Sequence, residues 1–263
     1  MYRADDPRSF LLDPAAERSM PVRAWWERRN AQVCVAEALL ALALLGAVPA
    51  RAQWSGQISV TNDERWRGRS ISEGRPAATL SLGYDDRSGL YADASATAAA
   101  LPQGVTLVSA GVDAGYAWRL PGGRVLDVGV TRREFRSAAT TPPGSGYTEA
   151  YLGIGGRSLS ARLHYSPDYL WRDTATLYAT LDGVVRPAPG WRLLAHGGAM
   201  QFLGTVPRYS TDRTQFDYSL GVARRFGRID AQLAWTGGAP GTDFYRGAAH
   251  ARRGVTLALS LGF

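Results

Sequence analysis

The stretch "NDERWRGRS" places four charged side chains at every second position: Asp63, Arg65, Arg67 and Arg69. Residues two apart in a strand point to the same side, so Asp63, Arg65 and Arg67 would share one face, with Arg69 just beyond. Arginines that face a pore attract anions and phosphates. These four residues are therefore candidates for a pore constriction. A structural alternative stays open, in which neighbouring acids pair with the arginines and the set fixes a loop.

The stretch from His164 to Ser166 is a second place where side-chain types suggest chemistry. It resembles the His-x-Ser stretch of outer-membrane lipid A deacylases, which are esterases with a serine nucleophile. His164 could supply the base that Ser166 would need, because the two residues share a strand face. That face is polar, however, whereas a lipid would approach from the apolar side, and no acidic residue is evident to orient the histidine. We expect no catalytic residue and interpret the pair as strand-end hydrogen bonding.

Composition argues against several other kinds of site. The one cysteine, Cys34, lies in the leader described next, and the three histidines are scattered, so we expect no metal and no cofactor. With 7 of the 30 basic and 6 of the 23 acidic residues in that leader, the remainder carries a net charge of +6. Its arginines are spread along the chain, so we expect no nucleic-acid partner. Anionic lipid headgroups and small anionic solutes are more suitable partners.

The segment "CVAEALLALALLGAVPARA" is an apolar run that follows several arginines and ends in a small-x-small site. These are the three parts of a secretory signal. We expect residues 1–52 to be a signal peptide cleaved between Ala52 and Gln53, with Met20 as a possible true start. A transmembrane helix is the alternative, but the run is short for a span.

Alternation of apolar and polar residues recurs from Trp54 to the end of the sequence and predicts twelve strands. In the stretch Trp191–Leu203 the register of the alternation is ambiguous. Five tight connections ("DDRSG", "LPGGR", "GGRS", "RPAPG" and "FGR") alternate with six longer ones. The longer ones are expected around Arg65–Arg75, Ala99–Thr106, Arg136–Gly146, Ser166–Asp173, Gly204–Arg213 and Gly237–Arg253. Alternating short turns and long loops are typical of transmembrane barrels. The sequence thus predicts an all-β, antiparallel, up-and-down transmembrane β-barrel over residues 53–263.

The two faces of these strands differ in a way that favours a membrane barrel over a soluble sandwich. The apolar face consists of Ala, Leu and Val with aromatic residues near strand ends, as in a lipid-facing belt. The opposite face carries charges, which suit a water-containing lumen. We expect the following charged residues to face the lumen: Asp93, Asp113, Asp127, Arg133, Glu149, Arg162, Asp182, Asp217 and Asp230.

Two stretches resemble known proteins. The last strand, "GVTLALSLGF", ends on Phe263 and resembles the C-terminal signal of bacterial outer-membrane proteins, which implies that the barrel-assembly machinery reads Phe263 as an assembly signal. The segment "VTNDERWRGRSISEGRPAATLSLGYDDRSGLYA" resembles the start of the TorF family of porins, also named Gcw_chp. The matching residues are Asp63, Trp66, Arg67, Gly68, Ser70, Pro76, Ala77, Gly83, Tyr84, Gly89, Leu90 and Tyr91. Glu64 replaces a tyrosine of the family, and "YSPDY" (Tyr165 to Tyr169) also fits it.

The resemblance implies an outer-membrane β-barrel whose transported solute is largely undefined. We therefore predict a protein of the bacterial outer membrane that contacts lipid and lipopolysaccharide and lets small polar or anionic solutes diffuse passively. A lipid-modifying hydrolase and a structural or adhesive barrel acting through its loops are the alternatives.

Overall fold

The computed structural model describes residues 54–136, 145–204, 206, 210, 212–246 and 248–263. The predicted signal peptide and its cleavage site between Ala52 and Gln53 lie outside the described residues. No helix within those ranges is long and apolar enough to cross a membrane.

The described residues form fourteen β strands. Their bounds are β1 Trp54–Thr61, β2 Arg65–Trp66, β3 Arg69–Ser70, β4 Ala77–Asp85, β5 Leu90–Leu101, β6 Gly104–Leu120, β7 Arg124–Phe135, β8 Ser145–Gly155, β9 Leu159–Ser166, β10 Thr176–Val185, β11 Trp191–Phe202, β12 Thr214–Phe226, β13 Ile229–Tyr245 and β14 Ala248–Gly262.

The twelve longer strands form a closed antiparallel barrel in chain order, and β2 and β3, of two residues each, pair in a separate hairpin. The barrel closes where β1 pairs with β14, from Gln57 opposite Gly262 to Thr61 opposite Ala258. This confirms the predicted fold and strand count. Closure leaves no strand edge unpaired, which a structure in lipid requires because the hydrocarbon offers no hydrogen bonds.

The outer face of the barrel is an apolar belt. Leu and Val side chains at alternate positions, such as Val112, Leu152, Leu181 and Leu220, are about half exposed to the exterior. The charged residues that alternate with them point inward, where several form ion pairs with charges on nearby strands. The alternation seen in the sequence is therefore the pattern of a lipid-facing surface.

The two ends of the barrel differ. The five tight turns at residues 86–89, 121–123, 156–158, 186–190 and 227–228 lie at one end, here called the turn end. At the opposite, loop end, two of the six predicted long loops are wrong. β5 and β6 continue to Leu101 and Gly104, and β13 and β14 continue to Tyr245 and Ala248. A register shift between Gly237 and Thr242 accommodates the Gly- and Pro-rich stretch of β13, so pairing resumes beyond it.

The prediction that Asp63, Arg65 and Arg67 extend the first strand is also wrong, because β1 ends at Thr61. The Asn62 side chain bonds to the backbone of β14, accepting from the Leu257 N–H (2.8 Å) and donating to the Val255 carbonyl (3.2 Å). The chain then turns into the barrel. Arg67 (φ 48°) and Gly68 (φ 74°) both have positive φ, as the two central residues of a type I′ hairpin turn require.

This inward hairpin (residues 65–70) and the loop-end strands enclose a core inside the barrel. The core is apolar and rich in aromatic residues, and Trp66 packs against it. Its buried members are Ile71, Ala77, Ala99, Leu101, Val108, Phe135, Tyr147, Tyr169, Leu170, Tyr178, Met200 and Phe202. The loop-end part of the lumen is thus filled with side chains.

Candidate functional site

Asp63 is the residue around which the first loop is organised. Its carboxylate accepts hydrogen bonds from Arg65 Nε (2.7 Å), Ser70 Oγ (2.6 Å) and Ser72 Oγ (3.1 Å). Asp63 is 7% exposed. A buried carboxylate needs such donors, so Asp63 and Arg65 form a structural pair at the base of the inward hairpin.

Arg67, at the tip of the inward hairpin, lies in an aromatic cage formed by four rings. Its Cζ is 3.9 Å from the ring centre of Tyr178, 5.0 Å from that of Tyr169, 5.4 Å from that of Tyr147 and 5.7 Å from that of Trp66. All four distances are within the range of cation–π attraction.

A carboxylate completes the surroundings of the Arg67 guanidinium. Its Nη2 donates to Glu149 Oε2 at 2.6 Å, and both side chains are almost fully buried. Arg67 therefore satisfies its charge by an ion pair as well as by the four rings, and it is a structural anchor as well as a candidate pore residue.

Three further contacts fix the hairpin to the wall. Gly68 lies so close to β13 that a Cβ there would be 2.7 Å from the Gly237 carbonyl oxygen and 2.8 Å from Gly238 Cα. The Ser70 N–H donates to Asp243 Oδ2 (2.9 Å). The fourth predicted pore residue, Arg69, has its Nε 3.5 Å from Asp243 Oδ1.

Two further arginines, Arg252 and Arg133, contact Asp243 and Trp66. Asp243 is also bound by Arg252, whose Nε donates to Oδ1 at 3.0 Å. The Arg133 guanidinium lies over the Trp66 ring, 4.1 Å from its centre. The hairpin is therefore held from several sides.

A polar cavity of about 510 Å³ lies in the lumen directly beside the hairpin. Arg65, Trp66 and Arg67 contribute the hairpin side of its lining. A second cavity of about 450 Å³, which shares Tyr91, Asp93, Arg162 and Asp182 with the first, extends towards the turn end. The part of the lumen beyond the hairpin is therefore hollow and lined by charges.

The structure places all nine predicted lumenal charges on the lining of these or adjoining cavities. Two of them form ion pairs along the wall with residues two strands away: Asp127 accepts from Arg162 (2.8 Å), and Asp230 accepts from Arg192 (2.6 Å). Asp93 and Asp113 instead lie directly opposite each other on β5 and β6. Asp113 accepts a hydrogen bond from Thr131, and neither aspartate has an arginine partner among the described residues.

Sequence reasoning missed the residues that connect these charges. His196 bridges two aspartates, with Nδ1 2.6 Å from Asp182 and Nε2 2.8 Å from Asp217. The Tyr178 hydroxyl donates to Asp217 at 3.1 Å. The register of β11 was ambiguous in the sequence, so nothing there indicated that His196 faces the lumen.

Glu64 lies in the connection between β1 and β2, outside the barrel strands. Burial, and next the negative charge of Asp63, raise the pKa of Glu64 to about 7, while the positive charge of Arg133 opposes the shift. Glu64 therefore changes charge near neutral pH.

Ser166 and His164 do not form a nucleophile–base pair. The Ser166 hydroxyl donates to the Thr148 carbonyl (2.8 Å), and the residue is fully buried. His164 lies between the rings of Tyr151 and Tyr178, with Nδ1 3.5 Å from Glu149 Oε2. In the described part of the chain, no group of three His, Cys, Asp or Glu side chains is placed to hold a metal ion.

Phe263 lies at the seam where the barrel closes. Its N–H donates to the Gly56 carbonyl (2.9 Å), and the Gly56 N–H donates to the Phe263 carbonyl (2.8 Å). The Phe263 ring occupies the space that a side chain at position 56 would need.

The described fold resembles solved outer-membrane proteins. The porin NanC has a TM-score of 0.51 and 10% identity over 80% of this chain and 98% of its own. The porin KdgM has a TM-score of 0.47 and 11% identity over 80% of this chain and 98% of its own. OprD of Pseudomonas aeruginosa has a TM-score of 0.39 and 7% identity over 81% of this chain and 67% of its own.

At such low identity, the likeness to NanC supports the fold alone, which is that of a porin-like β-barrel. No curated protein matches the chain in sequence. A family model does match, over residues 47–258, and confirms the resemblance seen in the first loop. The chain belongs to the Gcw_chp family, which is described as bacterial protein of unknown function.

Proposed function

We propose that this protein is an outer-membrane channel through which small polar solutes diffuse passively, with its loop end outside the cell. The observation that carries the proposal is the polar cavity of about 510 Å³ inside a closed barrel. A lumen lined by charged side chains holds water, and hydrated solutes can share it. The inward hairpin lines one side of this cavity.

The charge of the preferred solute is a separate question from the passage of polar solutes. The prediction of an anionic solute rests on Arg65 and Arg67, but each of these pairs with a carboxylate, Asp63 and Glu149. Paired arginines attract anions less than free ones do. The anion preference therefore stays a prediction, whereas passage of polar solutes follows from the lining as a whole.

The proposed partners follow from the surface. The apolar belt would contact outer-membrane lipid and lipopolysaccharide, and Phe263 would be read by the barrel-assembly machinery. A lipid hydrolase is disfavoured because Ser166, its candidate nucleophile, is buried and bonded to a backbone carbonyl. An adhesive barrel would need only its loops and would not need a hollow lumen.

Liposome swelling with the refolded protein tests this function. Vesicles containing the barrel should swell in isosmotic solutions of small neutral sugars, and the rate should fall as the sugar becomes larger. Vesicles without protein, and vesicles with heat-unfolded protein, serve as controls. Gly68→Val, whose added side chain would collide with Gly237 and displace the inward hairpin, is tested beside the wild type. If neither protein admits any sugar, the channel assignment is wrong.

A further inference from the structure

We infer that the inward hairpin is a gate that closes the loop end of the lumen, and that Arg67 in its aromatic cage is the element that holds the gate shut. This inference rests on the proposed function, because it describes how that channel is regulated. A gate requires three properties. The hairpin must block the lumen, must be able to move out of it without opening the barrel, and must be held in place by few residues.

The hairpin blocks the path. Arg65, Trp66 and Arg67 line one side of the cavity of about 510 Å³, and behind them lie fully buried residues. Ser72 and Phe202 are both 0% exposed. A solute moving from the turn end would therefore meet the hairpin and then the buried core against which Trp66 packs.

The hairpin can leave without opening the barrel. β2 and β3 pair only with each other, from Arg65 opposite Ser70 to Trp66 opposite Arg69, and neither belongs to the barrel sheet. Its contacts with the wall are made by side chains or by close packing. All barrel ladders therefore remain intact when it moves.

The tip of the hairpin makes the largest set of its contacts, beside those of Ser70 and Arg69 with Asp243. Arg67 alone contacts four rings and Glu149, whereas its neighbour Gly68 touches β13 only by packing. Some atoms in this closed arrangement lack partners: Arg67 Nε, Tyr147 Oη and Glu149 Oε1 are buried without a hydrogen bond. Unpaired buried polar atoms disfavour the closed state, so the closed and open states need not differ greatly in free energy.

Thiol labelling tests the movement without relying on transport. No cysteine occurs after Cys34, so Ser72→Cys introduces a single buried thiol. A membrane-impermeant maleimide should label it slowly in the otherwise wild-type barrel. Labelling should become at least about tenfold faster with Arg67→Gln, since a desolvated cation–π cluster and ion pair contribute that much or more. Ser88→Cys, in an exposed turn, should react at the same rate in both backgrounds.

A second variant opens the gate by a different physical route. Gly68→Val adds a side chain that collides with Gly237 and Gly238, and removes no charge. Gly122→Val is its matched control, because Gly122 has a similar φ of 78° but nothing within 4 Å of a Cβ. Channel recordings should show more open time for Gly68→Val and Arg67→Gln than for the wild type, and Gly122→Val should behave like the wild type.

The outcomes separate the two proposals. Faster labelling without conductance in any variant would support the movement and overturn the channel. Equal labelling and equal conductance in all folded variants would overturn the gate and leave the channel standing. Migration of unheated samples as compact barrels on gels shows which variants are folded, and the two variants must agree for the gate to stand.

Discussion

Phe263 and Gly56 face each other across the barrel seam, with two backbone hydrogen bonds between them and the phenylalanine ring over the glycine. This relationship gives Phe263 a physical role in closure in addition to its proposed role as an assembly signal.

Deleting Phe263 should reduce the amount of folded barrel in the outer membrane, because the seam loses two hydrogen bonds and the ring. Gly56→Val should displace the same ring while leaving Phe263 in the chain. The heat-modifiable fraction on gels measures both. Normal yield after deletion would remove the assembly role, whereas a loss with deletion alone would favour recognition over packing.

Protease treatment of intact cells should cut the loop end and spare the turn end. Cleavage is expected in the connection at 136–146, whereas the turn at 121–123 should resist. Within 237–253 cleavage is expected near Arg246, because β13 and β14 pair up to Tyr245 and Ala248 apart from the register shift between Gly237 and Thr242. Cleavage at residues 121–123 in intact cells would reverse the proposed orientation.

Changing Arg65 and Arg67 together to Gln should shift the reversal potential in a salt gradient towards cations. The shift is expected because Asp63 and Glu149 would each keep a carboxylate without its arginine. High salt should weaken the effect, since the Debye length is roughly 3 Å at 1 M.

Asp63→Asn is the control, and its expected shift in reversal potential has the opposite sign. It should move selectivity towards anions, although it also weakens the bonds to Ser70 and Ser72. If both variants conduct like the wild type, the cluster only fixes the first loop.

Channel opening should increase from pH 5 to pH 8. Glu64 has a raised pKa of about 7 in the closed structure, so the closed state favours the protonated form. That contribution to the closed state is complete below the ordinary pKa of 4.5 and is lost as the pH rises to about 7. Glu64→Gln should flatten the pH profile of open time. An unchanged profile would show that another group governs it.

Much of the barrel could be predicted from the sequence, because a lipid-facing strand must alternate and must be about ten residues long. The path of the first loop could not. Asn62 bonds to Leu257, which is far away in sequence, and Asp63 bonds to Ser70 beyond the hairpin turn. The positive φ of Arg67 is also unusual for a residue other than glycine.

The aromatic cage was also beyond sequence reasoning. Tyr147 and Tyr178 come from separate strands, and Tyr169 comes from the loop after β9. Only the closed fold brings them around Arg67, which lies about 80 residues or more from each. By contrast, the family pattern in the first loop indicated four residues of the hairpin, Trp66, Arg67, Gly68 and Ser70, without indicating what they build.

Single-channel recording of the refolded barrel tests the central claim most directly. The account predicts discrete conductance steps for the wild type, with longer open times in Arg67→Gln and Gly68→Val than in Gly122→Val. Absence of conductance in the wild type and in both opening variants, with all of them shown to be folded, would contradict it.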